Sequence, residues 1–164
     1  MLLDDALRAL PLVESQEGAL VDVGSGGGSP GIPLAVSLPG RDVTLLDAER
    51  RKCDFLRRWA PPNATVVWGR AEEQPLEAWT VATAKALAPP PVAAELCLPL
   101  VHVGGVVLLW LGEQADQAQL QAASEQLGGG EPDVHAGLAV LPKVASTPAG
   151  FPRRVGVAKK RPLA

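Results

Sequence analysis

The order of apolar and polar positions near the start of the chain predicts a strand, a turn, a helix and a second strand. Residues 19–23 are an apolar run interrupted only by Asp22, which is typical of a buried strand. A glycine-rich turn follows, and then a helix of small residues is predicted over 32–38. A second strand over 42–46 leads into Asp47. This arrangement is typical of a mononucleotide-binding half of a doubly wound sheet.

The rest of the chain continues this alternation of helical and extended patterns. Helices are predicted over residues 2–10, 49–59, 92–98 and 114–127. Strands are predicted over residues 65–68, 79–84, 106–111, 134–141 and 154–158, the last two as a closing antiparallel pair. In the helix over 49–59, Cys53 and Leu56 are expected to face inward together with Phe55 or Trp59. The pattern predicts an α/β fold with a mainly parallel sheet of about seven strands and helices on both faces.

Composition limits the classes of protein to which the chain can belong. With 164 residues and 47% hydrophobic content, the chain is long enough to bury a core and too apolar to be disordered. We expect a single domain, with a leading helix in residues 1–17 and a cofactor-binding α/β core in residues 18–164. No apolar run approaches the ~18 residues of a membrane span, and no signal-peptide pattern opens the chain.

Cysteine content and net charge further limit the classes of protein to which the chain can belong. Cys53 and Cys97 are isolated and form neither a disulfide framework nor a zinc set. We therefore expect a cytoplasmic protein without metal or membrane attachment, and a monomer. Because the formal net charge is −3, any contact with RNA must come from local basic patches.

The glycine-rich turn indicates which cofactor the site binds. A dinucleotide fingerprint starting at Gly24 fails because Ser29 occupies its sixth position. The pattern acidic-x-G-x-G-x-G fits Asp22, Gly24, Gly26 and Gly28 and favours S-adenosylmethionine, whose amino-acid moiety the acidic residue could meet. A carboxylate about 20 residues past the turn, here that of Asp47, is placed to bind a ribose diol. A dinucleotide and a purely structural turn remain the alternatives.

Five segments of the sequence resemble one known family. They are DVGSGGGSPGIPLAVSLP, TLLDAERRKCDFLRR, GRAEE, LAPPPVAAELCLPLVHVGG and FPRRVGVAKKRPL. Together they look like the bacterial small-subunit ribosomal RNA guanine-N7 methyltransferase family (glucose-inhibited division protein B), in a form shortened at the N-terminus. The resemblance implies a Rossmann-like class I methyltransferase fold. It also implies S-adenosylmethionine-dependent methylation of guanine N7 in 16S rRNA, within the small ribosomal subunit.

The same resemblance and the turn motif together imply a set of cofactor-binding residues. These are Gly24, Gly26, Gly28, Ser29, Asp47, Ala71, Glu72 and Lys85. Three features depart from the family pattern. Lys85 replaces an arginine and so loses a bidentate fork, Leu111 stands where a lysine is usual, and Ser29 replaces a bulkier apolar residue.

Two basic segments are candidates for contact with RNA. The first is the C-terminal cluster of Arg153, Arg154, Lys159, Lys160 and Arg161, which matches the family pattern and lies in an otherwise acidic chain. The second is the run of cations in the helix over 49–59, which could equally be an ordinary solvated helix face.

No residue of the sequence is assigned as catalytic. Guanine N7 carries a free lone pair and no proton, so its methylation needs alignment and a complementary field rather than a general base. Two other functions stay open at this point. One is a shortened relative that binds cofactor or RNA without methylating, which the missing leading helices of the family, Lys85 in place of arginine and the missing cation at Leu111 favour. The other is a nicotinamide-dependent oxidoreductase.

Overall fold

The computed structural model describes residues 2–164, which form seven strands and seven α-helices. The strands are β1 (Leu20–Val23), β2 (Val43–Asp47), β3 (Ala64–Trp68), β4 (Trp79–Lys85), β5 (Val101–Trp110), β6 (Asp133–His135) and β7 (Leu138–Pro142). The helices are α1 (Leu2–Leu7), α2 (Leu10–Glu14), α3 (Gly31–Ser37), α4 (Arg50–Trp59), α5 (Pro90–Cys97), α6 (Gln117–Gln126) and α7 (Val157–Lys160). Two short 3₁₀ turns lie at Ala71–Glu73 and Leu98–Leu100.

All seven strands belong to one sheet with the order β3-β2-β1-β4-β5-β7-β6. β1 to β5 pair in parallel, and β7 runs antiparallel between β5 and β6. The chain leaves β1 toward β2 and β3, and then returns to the other side of β1 as β4. In an open sheet of this kind ligands bind outside the carboxyl ends of the strands where the order reverses. That position here lies between β1 and β4.

A hydrophobic core covers each face of the sheet, as the sequence predicts. The side chains of successive residues in β1 point to opposite faces of the sheet, because side-chain direction alternates along a strand. Val21 belongs to the core under α5 and α6, which includes Cys97 and Leu120. Leu20 belongs to the core under α1 to α4, which includes Leu34 and Leu56. The α/β class, the mainly parallel sheet and the helices on both faces are confirmed.

The predicted closing pair of strands is wrong in its second member. The first segment forms the hairpin of β6 and β7, which turns at Ala136 and Gly137. Residues 154–158 form no strand. Gly156 has a left-handed backbone with φ of 82°, and α7 starts directly after it. This segment packs over the carboxyl ends of the strands instead of extending the sheet.

The orientation of α4 also differs from the prediction. Cys53 and Leu56 are buried, but Phe55 is 46% exposed and Trp59 is 64% exposed. The physical reason is the helical repeat of 3.6 residues, which leaves one narrow stripe facing the sheet. Two short buried side chains fill that stripe, and both aromatic rings remain in solvent.

Of the helices within residues 2–164, none is long and apolar enough to cross a lipid bilayer.

Candidate functional site

A cleft opens at the carboxyl ends of β1, β2 and β4, where the strand order reverses. The strands and the loops after them contribute Val23, Gly24, Leu46, Asp47, Ala48, Gly69, Arg70, Ala71, Glu72, Leu87 and Ala88. Helix α5 and the C-terminal segment contribute Val92, Leu96, Gly156, Ala158 and Lys159. The walls are therefore mostly apolar, with two carboxylates and two cations among the lining residues. Such a lining is typical of a small-molecule site.

Asp47 lies at the carboxyl end of β2 and is held rigidly. Its side chain is only 5% exposed. Oδ2 accepts a hydrogen bond from the backbone N–H of Gly26 at 2.9 Å, and Oδ1 accepts one from the N–H of Glu49 at 2.8 Å. A carboxylate has about four acceptor sites, so these two bonds leave capacity toward the cleft. This geometry suits the recognition of hydroxyl groups.

The glycine-rich turn connects β1 to α3 and brings its backbone close to the cleft. Gly24 has φ of 70°, and a Cβ there would lie 2.5 Å from Leu87 Cδ1. Gly28 has φ of 95°, and a Cβ there would lie 2.5 Å from Ile32 Cδ1. Since L-residues rarely adopt positive φ, both positions require glycine. Gly24 lines the cleft, whereas Gly26 and Gly28 shape the turn behind that lining.

Asp22 lies beneath the turn and does not line the cleft, contrary to the suggestion that it meets the amino-acid part of a cofactor. Oδ2 accepts from Ser25 Oγ at 2.7 Å and from the Gly31 N–H at 3.1 Å, and Oδ1 accepts from Thr83 Oγ1 at 2.8 Å. Burial raises the pKa of Asp22 to about 6, although these three bonds oppose the shift. Asp22 thus joins the turn, the start of α3 and β4.

The loop after β3 forms the next wall of the cleft. Ala71 is 8% exposed and starts a short 3₁₀ turn. The Glu72 carboxylate lines the cleft, and its Oε1 accepts a hydrogen bond from the Gly156 N–H at 3.3 Å. Both predicted residues therefore lie where a ligand in the cleft would touch them.

The C-terminal segment closes one side of the cleft, which the sequence did not predict. Arg153 forms a bidentate ion pair with Glu95 of α5, with Nε–Oε1 at 2.8 Å and Nη2–Oε2 at 2.5 Å. Glu95 is only 1% exposed. Arg153 Nη2 also donates to the Arg161 carbonyl at 2.8 Å. These contacts seat the segment from 153 to 161, so that Gly156 and Lys159 reach the cleft.

The C-terminal cations predicted to bind RNA therefore divide into two groups. The guanidinium of Arg153 is occupied by Glu95 and lies partly buried. Arg154, Lys160 and Arg161 are exposed, and Lys159 is exposed while lining the cleft. No feature of the sequence alone distinguished Arg153 from its neighbours, because its partner lies 58 residues away.

Lys85 and Ser29 lie outside the residues that line the cleft. The Lys85 ammonium is 2.5 Å from Asp5 Oδ2, so it joins the end of β4 to α1. Lys85 also holds the pKa of Asp5 below its usual range. The hydroxyl of Ser29 is buried and finds no hydrogen-bond partner within residues 2–164. A cofactor contact by either residue stays a prediction.

The residues in the cleft fit a nucleoside with a charged substituent. The Asp47 carboxylate can accept from vicinal hydroxyls, and Leu46, Ala71 and Leu96 provide apolar walls for a flat ring. The positive-φ backbone at Gly24 allows close approach. Within the described part of the chain, no group of three or more His, Cys, Asp or Glu side chains could hold a metal ion.

Comparison with known sequences gives one consistent result. The family model GidB, described as rRNA small subunit methyltransferase G, matches residues 1–134. The protein named Ribosomal RNA small subunit methyltransferase G from Synechococcus elongatus is 38% identical over 178 residues, which cover 96% of this chain and 73% of that protein. The protein of the same name from Pelotomaculum thermopropionicum is 35% identical, with 97% of this chain and 76% of that protein covered.

Solved structures of similar fold are methyltransferases of low sequence identity. The TehB-like S-adenosylmethionine-dependent methyltransferase from Corynebacterium glutamicum has a TM-score of 0.63 at 17% identity, covering 84% of this chain and 86% of that one. The 16S rRNA N2 G1207 methyltransferase of T. thermophilus has a TM-score of 0.57 at 16% identity, covering 80% of this chain and 36% of that one. At these identities the likeness establishes the fold alone.

Proposed function

The chain belongs to the rRNA small subunit methyltransferase G (GidB) family, and on that premise we propose that it methylates N7 of a guanine in 16S rRNA with S-adenosylmethionine as methyl donor. The observation that carries the proposal is the position of Asp47. Its fixed carboxylate stands at the carboxyl end of β2, inside an apolar cleft at the point where the strand order reverses. A nucleoside cofactor and a base brought to the cleft mouth would meet there.

The residues proposed to hold the cofactor surround that carboxylate. Asp47 would accept from the ribose hydroxyls, Ala71 and Glu72 would border the adenine, and the Gly24 backbone would approach the amino-acid end. Gly26 and Gly28 contribute through the turn, since the Gly26 N–H orients Asp47. The sequence prediction thus keeps its central members. Lys85 and Ser29 are not needed for this arrangement.

The proposed reaction requires no general base from the protein. The cofactor, when bound, supplies a methyl group on a sulfonium centre. Transfer of that methyl group to guanine N7 would use the free lone pair of N7, with the demethylated cofactor as leaving group, so no residue of the cleft would have to remove a proton. Protein groups therefore have to align the two reactants and exclude water. This fits a cleft whose Asp47 oxygens are already engaged by backbone N–H groups and whose walls are apolar.

We assign the contact with RNA phosphates to the exposed cations of the C-terminal segment. Lys159 lines the cleft, and Arg154, Lys160 and Arg161 are exposed in the same segment. A cluster of cations attracts phosphates. In this assignment Arg153 acts indirectly, because its pairing with Glu95 positions the segment. We also propose that the protein is a cytoplasmic monomer. The proposal of one domain over residues 1–164 is supported by the two cores, which share the same sheet.

Methyl transfer to purified small ribosomal subunits tests the proposal directly. Wild-type protein should transfer labelled methyl groups into subunits that lack the modification and none into subunits that already carry it. Mapping the product should place the label on guanine N7. Equal labelling of both kinds of subunit, or label on another atom, would overturn the proposed specificity. S-adenosylmethionine binding without any transfer would favour a cofactor-binding relative.

Replacement of Asp47 tests the cofactor site. Asp47→Ala should weaken S-adenosylmethionine binding about 10- to 100-fold, because hydrogen bonds to charged groups contribute about 1.5–3 kcal/mol. Calorimetry measures the change. Asp42→Ala is the matched control, since this exposed aspartate lies just before the opposite end of the same strand. If both variants bind alike, Asp47 has no role in the cofactor site.

A further inference from the structure

An exposed aromatic and basic surface lies beside the cleft and has no role in the site described above. We call it the α4 face. It consists of Arg50, Arg51, Phe55, Arg58, Trp59 and Trp68. All of them lie on α4 except Trp68, which ends the edge strand β3.

The aromatic members are unusually exposed for such side chains. Phe55 is 46% exposed, Trp59 64% and Trp68 58%. The whole sequence has four Trp, two Phe and no Tyr, so half of its aromatic residues are exposed on α4 and at the end of β3. Concentrated apolar exposure is typical of a surface that binds a partner.

The charge of the same face identifies the kind of partner. Helix α4 carries the sequence RRKCDFLRRW, with five cations and one acid, in a chain whose formal net charge is −3. Lys52 pairs with Glu49 at 3.1 Å and Arg57 with Asp54 at 3.3 Å. Arg51 and Arg58 form no ion pair with any residue of 2–164, and their spacing of seven places them on one stripe of the helix. An anionic partner complements this face.

The Trp68 end of the α4 face adjoins the cleft. Trp68 Nε1 donates to the Ala48 carbonyl at 3.0 Å, and Ala48 lines the cleft. The guanidinium carbon of Arg50 lies 5.8 Å from the centre of the Trp68 ring. Gly69 and Arg70, which follow Trp68 directly, also line the cleft. A strand that leaves the cleft mouth on this side would pass over Trp68 first.

We propose that the α4 face binds an unpaired stretch of RNA adjoining the target nucleotide. This inference rests on the proposed function and extends it to the form of the substrate. Exposed aromatic rings stack on the faces of unpaired bases, while arginines contact the phosphates between them. An A-form duplex keeps its bases stacked inside and offers them no such contact. A second copy of the chain fits less well, because a symmetric contact would bring the arginines of both copies together.

Aromatic substitutions test the stacking contacts. Trp68→Ala, and separately the pair Phe55→Ala and Trp59→Ala, should weaken binding of a fluorescently labelled single-stranded RNA roughly 5- to 150-fold, as expected for the loss of one base stack. Binding of S-adenosylmethionine, measured by calorimetry, should stay unchanged in the Phe55 and Trp59 variant and shows that this variant is folded. The same RNA annealed to its complement should bind wild type and variants equally. Unchanged affinity for the single strand would overturn the proposal.

Arginine substitutions test the phosphate contacts. With Arg51→Gln and Arg58→Gln combined, the slope of log K against log salt should become shallower by about 1.4, from about 0.7 per contact on a single strand. Glu125→Gln is the control. Glu125 is exposed on α6, which packs on the other face of the sheet, so this variant should leave the slope unchanged. An unaltered slope in the arginine variant would contradict a contact with phosphates.

Methylation assays separate this inference from the proposed function. If wild type methylates small subunits and the α4-face variants do so with the same KM, the proposed function holds and the inference is wrong. If the variants raise KM for the subunit and leave cofactor affinity unchanged, both hold. A concentration-dependent dimer that disappears in the Phe55 and Trp59 variant would assign the face to a second copy and overturn the inference.

Discussion

At the scale of single residues, Asp22 shows how a buried charge organises the site without touching the cleft. The side chain is 1% exposed, and its oxygens accept from Ser25, Gly31 and Thr83. These donors fix the glycine turn relative to α3 and β4. Because burial disfavours the charged form, the pKa of Asp22 rises to about 6. The turn therefore depends on a carboxylate that is costly to ionise.

This raised pKa predicts a pH dependence of stability. A carboxyl group whose pKa is higher in the folded than in the unfolded state binds protons more tightly in the folded state. The contribution of Asp22 to the free energy of unfolding should therefore fall by up to about 3 kcal/mol as pH rises from about 4 to about 6, and stay constant above that. Urea unfolding of wild type and Asp22→Asn between pH 4 and pH 7.5 measures this difference.

In the Asp22→Asn variant the free energy of unfolding should no longer fall between pH 4 and pH 6 through this group, because an amide does not titrate. The variant can keep the three contacts, because its amide oxygen can take the place of Oδ2 while its nitrogen faces the Thr83 hydroxyl, which can also accept. Parallel curves for wild type and variant between pH 4 and pH 6 would show that Asp22 titrates normally.

Gly31, the first residue of α3, is a second position at which one atom decides the local structure. A Cβ at this position would lie 2.5 Å from Asp22 Oδ2 and 2.5 Å from Leu45 Cδ2. Gly31→Ala should lower the free energy of unfolding by about 1–3 kcal/mol, the range for overpacking a core. Gly40→Ala is the control, because a Cβ there meets no atom within 4 Å. Equal stability of the two variants, measured by urea unfolding, would contradict close packing at Gly31.

At the scale of elements, the C-terminal segment depends on one ion pair for its place over the cleft. Glu95 is buried in α5, and Arg153 is partly exposed. Removing one partner of a buried pair leaves an uncompensated charge, at a cost of about 3–5 kcal/mol when both are buried. Because solvent reaches the arginine, we expect Arg153→Met to lower the free energy of unfolding by only about 2 kcal/mol.

The Arg153→Met variant should also bind S-adenosylmethionine more weakly, because Gly156 and Lys159 would no longer be held against the cleft. The double variant Glu95→Leu with Arg153→Met should recover most of the stability, because it removes the unpaired buried charge. It should not recover cofactor affinity, because the segment remains unanchored. Full recovery of affinity would show that the ion pair does not position the segment. Urea unfolding and calorimetry provide both measurements.

At the scale of the whole molecule, Lys143 joins parts of the chain at the end of the sheet opposite the cleft. Its ammonium is fully buried and donates to the carbonyls of Leu98 at 2.7 Å and Val101 at 3.0 Å, and to Thr147 Oγ1 at 2.8 Å. Glu77 Oε1 lies 3.5 Å away. Burial lowers the pKa of Lys143, since the charged form loses hydration. One side chain thereby connects the start of β5 with two loops.

Replacement of this lysine should destabilise the entire fold. Lys143→Met removes the donor from the two buried carbonyls of Leu98 and Val101 and from the part-buried Thr147 hydroxyl. Each buried group left unsatisfied costs about 1–3 kcal/mol. We expect a loss of at least about 2 kcal/mol in the free energy of unfolding. Lys160→Met, at an exposed lysine, should stay within about 0.5 kcal/mol of wild type. A small effect at position 143 would show that the carbonyls find other donors.

The sequence by itself determined the parts of the protein that depend on neighbours along the chain. The glycine turn followed by a carboxylate at Asp47 specifies the first βαβ unit, because positive φ at Gly24 and Gly28 and the following helix are local properties. Motif resemblance added the family, since five segments match it over most of the chain. Periodicity gave the sheet and both of its cores.

Tertiary structure alone decided which charged and aromatic side chains are free to act. Arg153 looks like its basic neighbours in the sequence and Lys85 looks like an ordinary surface lysine, but Glu95 and Asp5, distant along the chain, pair with them. Phe55 and Trp59 look like core residues in the sequence. In the structure Cys53 and Leu56 occupy the buried side of α4, and both aromatic residues are exposed. Such outcomes depend on contacts between residues far apart in sequence, and local pattern carries no information about them.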